Sequence, residues 1–288
     1  MDFLKPTLQT TRTGINHMKI LIFGGGKMGS SFAIGLKQPK NNSDEVVIVD
    51  PECALQSDME KAGTRVVPSV GTLTGEGWFP RHVICALKPD IALNVLQANA
   101  AFLSKAETLI SLAAGLSLSA LLSLPSGPRH CIRAMPNIPV ITGHGVIGAV
   151  CRPAFPDALR TEIGILLKPL GNLFWLADDR AIDALTAISG SGPAYVFHFI
   201  EALGQAAQKL GMPAEQADEI AKQTLIGAAC MLMNPDKTPT QQRHDVTSPN
   251  GTAAALAILT ADAGLEALLT GATRAAFHRA QEIAAETG

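Results

Sequence analysis

Three glycines at the spacing G-x-G-x-x-G, Gly24, Gly26 and Gly29, close the stretch Ile20-Leu21-Ile22-Phe23-Gly24-Gly25-Gly26-Lys27-Met28-Gly29. The chemistry this spacing serves is the binding of a dinucleotide pyrophosphate. Gly24 makes the tight turn, Gly26 lets backbone approach the phosphates, and Gly29 lets a helix pack on its strand. Lys27 and Met28 complete the turn and open that helix. The phosphates would rest on unpaired N–H groups at the positive end of the helix dipole. A second apolar run, Val46-Val47-Ile48-Val49, ends in Asp50, 21 residues beyond Gly29. An acid at this distance accepts from a ribose 2′-hydroxyl and repels a 2′-phosphate. It therefore favours NADH. The competing reading is a glycine-rich turn in some other α/β protein.

Further candidates follow apolar runs. Ala86-Leu87-Lys88-Pro89 ends one run, and Lys88 there meets either a phosphate or ribose, or only solvent. Ala113-Ala114-Gly115 ends another with side chains too small to block a nicotinamide. Asn137, in Arg133-Ala134-Met135-Pro136-Asn137, offers amide groups to the cofactor, shapes the site, or stabilises its own turn. Arg133 reads as a structural partner. Ser191-Gly192-Pro193 opens a long helix, and its glycine would let a flat ring approach backbone. No Ser-His-Asp set, paired carboxylates or zinc spacing is evident, so no metal is expected.

These residues need an alternating scaffold. Strands are expected at Lys19–Phe23, Val46–Val49, Arg65–Val67, His82–Leu87, Thr108–Leu112 and His130–Met135, with two more at Val146–Val150 and Leu173–Leu176. Continuous apolar strands alternating with helices imply a parallel sheet covered on both faces. After Asp178 only helical spacing remains. Val196, Phe199, Ile200, Leu203 and Leu210 form one apolar stripe, and residues 234–250 read as a polar loop. Helices follow from about Thr252 and Gly264. The fold class is α/β: a Rossmann-type parallel-sheet domain, 18–178, then an all-α domain, 179–288. Residues 1–17 read as a disordered extension without a secretory apolar core.

Composition narrows the partners. The chain has 288 residues, 47% hydrophobic and 17% charged, with 23 basic against 25 acidic side chains. Neither a nucleic-acid nor a membrane-surface partner fits that balance. The five cysteines include no C-x-x-C, which suits a buried, reduced set and a cytoplasmic location.

Together with the glycine turn, four stretches carry a resemblance: Ala86–Pro89, Arg133–Asn137, Ser189-Gly190-Ser191-Gly192-Pro193-Ala194-Tyr195, and Asp245-Val246-Thr247-Ser248-Pro249-Asn250-Gly251-Thr252. From about Lys19 to Glu286 the chain resembles pyrroline-5-carboxylate reductase. The resemblance implies reduction of 1-pyrroline-5-carboxylate to L-proline by NAD(P)H, and oligomers built through the helical domain. It pulls towards NADPH where Asp50 pulls towards NADH. Two positions depart from the family: Asn250 stands where a glycine is usual, and Ala253 where many members carry a hydroxyl. The substrate's carboxylate would sit on the helix N-terminus formed by Ser248, Asn250, Gly251 and Thr252. Thr252 is then a helix cap, a substrate ligand or the proton donor. Two other readings stay open. A hydroxyacid dehydrogenase would need a lysine with an asparagine four residues on at the start of the long helix, and Ser189 to Phe199 has no lysine. A non-catalytic NAD(P)H-binding regulator would need no substrate site at all.

Overall fold

The structure is a computed structural model that describes residues 17–38, 44–125, 127–248 and 252–287. It divides into two compact units, which among the described residues are 17–190 with 276–287, and 191–275.

The first unit is built on one eight-stranded sheet in the order β3-β2-β1-β4-β5-β6-β7-β8. Its strands are β1 Lys19–Phe23, β2 Glu45–Val49, β3 Arg65–Val67, β4 His82–Cys85, β5 Thr108–Ser111, β6 His130–Pro136, β7 Gly145–Cys151 and β8 Gly171–Trp175. The first six follow the doubly wound dinucleotide-binding order. Their side chains divide by period two between two cores. Ile20, Ile22, Ile48, Ile84 and Ile110 enter one face. Leu21, Phe23, Val47, Val83 and Leu109 enter the other. Both faces are covered, which is why these strands read as unbroken apolar runs rather than alternating ones. Each large side chain so buried contributes roughly 1.5–3 kcal/mol.

The helices of this unit are α1 Lys27–Leu36, α2 Gln56–Lys61, α3 Val70–Gly75, α4 Pro89–Ala98, α5 Ala100–Leu103, α6 Leu118–Leu122, α7 Asp157–Leu167 and α8 Asp179–Leu185. One expectation is corrected here. The sheet is not wholly parallel, because β7 runs antiparallel to β6, pairing Ile132 with Cys151 and Pro136 with Ile147. Residues 137–144 are too few for a crossover, which takes a dozen or more. The chain reverses instead through a tight 3₁₀ turn, Ile138–Thr142, and Gly143 at φ 76°. α7 then supplies a true crossover, so β8 returns parallel to β7.

Two polar clusters, each centred on a buried side chain, hold the sheet to its helices. Arg133 on β6 lies 2.8 Å from Asp179 and 3.5 Å from Asp183 on α8. At the opposite edge, fully buried His82 places Nδ1 2.8 Å from the Thr108 hydroxyl and Nε2 2.9 Å from Glu162 of α7. Arg81 also donates to Glu162, at 2.8 Å.

The second unit holds α9 Gly192–Lys209, α10 Ala214–Met231, α11 Pro239–Asp245, α12 Thr252–Thr260 and the first part of α13 Gly264–Thr287. α11 interrupts what reads in sequence as one loop. Thr238 and Gln241 cap it reciprocally, each side chain accepting from the other residue's backbone N–H. α9 and α10 meet through small residues: a Cβ on Gly204 would lie 2.7 Å from Asp218 Oδ1. The buried residues described in this unit are Gly204, Ala217, Ala221 and Gln242. The stripe of Val196, Phe199, Leu203 and Leu210 is therefore exposed in the single chain. The cysteines also differ from expectation. Cys85 and Cys131 are buried, Cys53 and Cys151 are half-buried, and Cys230 is exposed on α10.

Candidate active site

Strand register brings the sequence candidates to one edge. Phe23 pairs with Val49 and with Cys85, Cys85 with Ser111, and Ser111 with Arg133. The residues that follow therefore emerge side by side at the carboxyl end of the sheet: Gly24, Asp50, Ala86 and Leu112. The ladder continues into the loops, with Gly24 N–H donating to Val49 O at 3.0 Å and Ala86 N–H to Phe23 O at 2.8 Å. This edge is where ligands bind in open α/β sheets.

The glycine turn has the expected division of labour. Gly24 has φ 94°, a left-handed conformation, and its Cβ would lie 2.9 Å from Ala86 O. A Cβ on Gly29 would lie only 1.9 Å from Gly24 O, so α1 and the turn touch there. A Cβ on Gly26 would meet nothing within 4 Å. Gly26 is also the N-cap of α1, with no side chain capping it and no acid in the first turn. The first-turn N–H groups thus face an open, uncapped and uncontested position, which suits an anion. The residues present fit a dinucleotide pyrophosphate.

Asp50 stands beside this cradle. Its Oδ2 accepts from Gly25 N–H at 2.7 Å and its Oδ1 from Glu52 N–H at 2.9 Å. Ser30 Oγ donates to Gly25 O at 2.8 Å from the other side. Sequence reasoning missed these braces. Asp-Pro-Glu at 50–52 does carry a signal, since Asp commonly accepts from the N–H two residues on.

The other candidates on this edge are placed as follows. Lys88 lies exposed at the N-cap of α4, with Pro89 as the first helical residue. Ala113 and Gly115 are buried, Ala114 is exposed, and Gly115 has φ 82°. Asn137 is buried, and its amide is engaged within the unit: Nδ2 donates to Ser189 O at 2.9 Å, and Oδ1 accepts from Val146 N–H at 2.8 Å. It pins the β6–β7 reversal to the segment after α8. Burial pushes the Cys85 thiol, just before Ala86, up to about 11, so it stays protonated at neutral pH.

The substrate candidates belong to the helical unit. Ser191 is the N-cap of α9, and a Cβ on Gly192 would meet open space. Thr252 is the first residue of α12, and Ser248 O accepts from Ala253 N–H at 3.2 Å. Asn250 and Gly251 lie outside the described residues.

A doubly wound sheet with an anion cradle at its switch edge, followed by a helical region, defines a dinucleotide-binding protein of the Rossmann type. Comparison with known proteins takes this further. A family model for pyrroline-5-carboxylate reductase dimerisation matches residues 179–283. The pyrroline-5-carboxylate reductase of Pseudomonas aeruginosa is 33% identical over 94% of this chain and 98% of its own length. Pyrroline-5-carboxylate reductase 3 of Danio rerio is 32% identical over 93% of this chain and 92% of its own. Among solved structures, the Coxiella burnetii reductase superposes with TM-score 0.82 at 29% identity, covering 93% of this chain and 99% of that one. The Plasmodium falciparum reductase with NADP bound gives TM-score 0.76 at 27% identity, covering 94% and 100%. The chain belongs to the pyrroline-5-carboxylate reductase family.

Proposed function

We infer that this chain reduces 1-pyrroline-5-carboxylate to L-proline with NAD(P)H, binding the dinucleotide through residues 18–178 and the substrate through 179–288. The observation that carries the cofactor half is the open position over Gly26 at the uncapped start of α1. The substrate half rests on the likeness to the reductases over more than nine-tenths of the chain.

Each residue then has a task. Gly24, Gly26, Lys27, Met28 and Gly29 cradle the pyrophosphate. Asp50 accepts from the ribose beside the turn. Ala86, Lys88 and Pro89 border the cofactor at the start of α4. Ala113, Ala114 and Gly115 leave room for the nicotinamide, which supplies the hydride when bound. Asn137 positions rather than reacts, since its amide holds Val146 and Ser189 in place. Ser248, Asn250, Gly251 and Thr252 at the start of α12 hold the substrate's carboxylate through backbone N–H groups and the helix dipole. Ser191 and Gly192 let the flat ring approach the start of α9. A proton at the imine nitrogen makes that carbon a better hydride acceptor, and the Thr252 hydroxyl is the candidate to hold it. The location is cytoplasmic. Among the described residues no single helix is long and apolar enough to cross a membrane.

The test is NAD(P)H oxidation by purified protein on adding 1-pyrroline-5-carboxylate, with proline measured as product. One proline per NAD(P)H is expected. Cofactor binding without turnover would instead favour a non-catalytic regulator, and turnover of a hydroxyacid alone would favour a dehydrogenase.

A further inference from the structure

We propose that Asp50 is the specificity-determining residue of the cofactor site, and that it selects a dinucleotide with a free 2′-hydroxyl, NADH, over one with a 2′-phosphate, NADPH. This rests on the Gly24–Gly29 turn being the pyrophosphate cradle.

The first support is immobility. A carboxylate on a free rotamer can swing aside for a phosphate, but this one is tied at both oxygens. Gly25 N–H holds Oδ2 at 2.7 Å and Glu52 N–H holds Oδ1 at 2.9 Å. Both donors are backbone. One belongs to the phosphate turn itself, so the distance from cradle to carboxylate is set by the fold. A Cβ on Gly25 would lie 3.3 Å from Oδ2, which shows how closely the carboxylate abuts the turn.

The second support is remaining capacity. An ionised carboxylate has about four lone-pair sites, and two are used here. The others can accept from a ribose hydroxyl, a donor. A phosphate dianion has no proton to give and would face a fixed negative charge.

The third support is the lack of a compensating cation in the adjoining segment. Residues 51–56 are Pro-Glu-Cys-Ala-Leu-Gln, which adds the acid Glu52 and no base. Lys61 stands at the far end of α2, 3.5 Å from Asp58. Arg65 is the first residue of β3, at the end away from the carboxyl edge, and is paired with Glu76. Lys27 lies within the turn itself, one charge against the two of Asp50 and Glu52, and Lys88 follows β4, on the other side of β1 from Asp50.

Isothermal titration of the full-length protein without cofactor tests this. The probes are ADP-ribose and ADP-ribose 2′-phosphate, which differ only in the group at issue. ADP-ribose should bind at least about tenfold more tightly. In Asp50→Ser the gap should close, chiefly because the 2′-phosphate form gains affinity. Asp50→Asn removes the charge while keeping one oxygen for the turn, and it should narrow the gap even where Asp50→Ser loosens the fold. Equal or tighter binding of the 2′-phosphate form to the unaltered protein would overturn the proposal. So would a gap unchanged in both variants. Binding of neither probe would overturn the cradle as well, and that outcome is distinct from a missing preference.

Discussion

At the scale of single residues, three glycines of one turn differ in what a side chain would cost. Gly29 is sterically closed, because its Cβ would sit 1.9 Å from Gly24 O. Gly29→Ala should therefore cost stability, about 1–3 kcal/mol or more, as overpacking against backbone does. Gly26 has ordinary extended angles, φ −69° and ψ −173°, and open space beyond it. Gly26→Val should leave the melting temperature nearly unchanged while NAD(P)H affinity, followed by fluorescence titration, falls at least about tenfold. Unaltered affinity would remove the turn from the cofactor site. Thr252 poses a different question: it is the first residue of α12 and not the cap expected from sequence, and a side chain there either steadies the first turn or meets a ligand. If it only steadies that turn, Thr252→Ala should leave stability within about 1 kcal/mol and keep turnover. A ligand raises KM, and a proton donor lowers kcat, with melting and kinetics measured on the same protein. The glycine spacing and the Asp50 distance were legible because they are local. The partners of Asn137 were not, since Ser189 lies 52 residues away and meets it only in the folded unit.

At the scale of elements, two polar clusters centred on buried Arg133 and buried His82 join strands to helices, and each makes a prediction. Arg133 ties β6 to α8 through Asp179 and Asp183. Burial pushes the Asp183 carboxyl upward despite Arg133 beside it, so the pair is costly to form. Removing one partner is costlier still. Arg133→Met should lose about 3–5 kcal/mol in denaturant unfolding, and Arg133→Met with Asp183→Leu should recover part of it. Full stability in the single variant would show that the charges are not coupled to folding. The His82 cluster responds to pH. Glu162, a carboxylate held low chiefly by its hydrogen bond to Arg81, accepts from His82 Nε2–H. That leaves Nδ1 to accept from Thr108. Burial lowers the His82 pKa below its ordinary 6.5, so the unfolded chain takes up the proton first. The contribution is complete above pH 6.5 and is lost as pH falls below it; that of Glu162 is lost below 4.5. Melting temperature should drop from pH 7 to pH 5.5, and less steeply in His82→Gln. An equal slope in the variant would place the proton uptake elsewhere. Element type was readable from apolar runs, as in α7, which spans Asp157–Leu167. The direction of β7 was not, because it depends on how few residues join it to β6. α11 could have been found from Thr238-Pro239-Thr240-Gln241, a capping-box sequence hidden in a polar stretch.

At the scale of the whole molecule, the helical unit is short of interior. The buried residues of α9 and α10 are Gly204, Ala217 and Ala221, too small to bury much area. The larger side chains face outward: Phe197 is 63% exposed, Ile258 77% and Leu268 72%. Apolar surface gathered this way marks an interaction site, and the family model that matches residues 179–283 is one of dimerisation. Self-association would cover this surface, since leaving such side chains in water forfeits about 25 cal/mol for each Å² of apolar area. Light scattering at micromolar concentration should give at least twice the chain mass. The melting temperature should also rise with concentration, because association binds the folded state and not the unfolded one. A tenfold increase supplies about 1.4 kcal/mol. Spread over the unfolding entropy of two whole chains, that is on the order of 1 °C. Ile258→Glu or Leu268→Asp would place an unpaired charge on this face, and should yield monomer and abolish the concentration dependence. A charged variant that keeps both its mass and its slope would show that α12 and α13 face solvent in the assembled protein. A monomeric parent chain with a concentration-independent melting temperature would show that these helices stand without a partner.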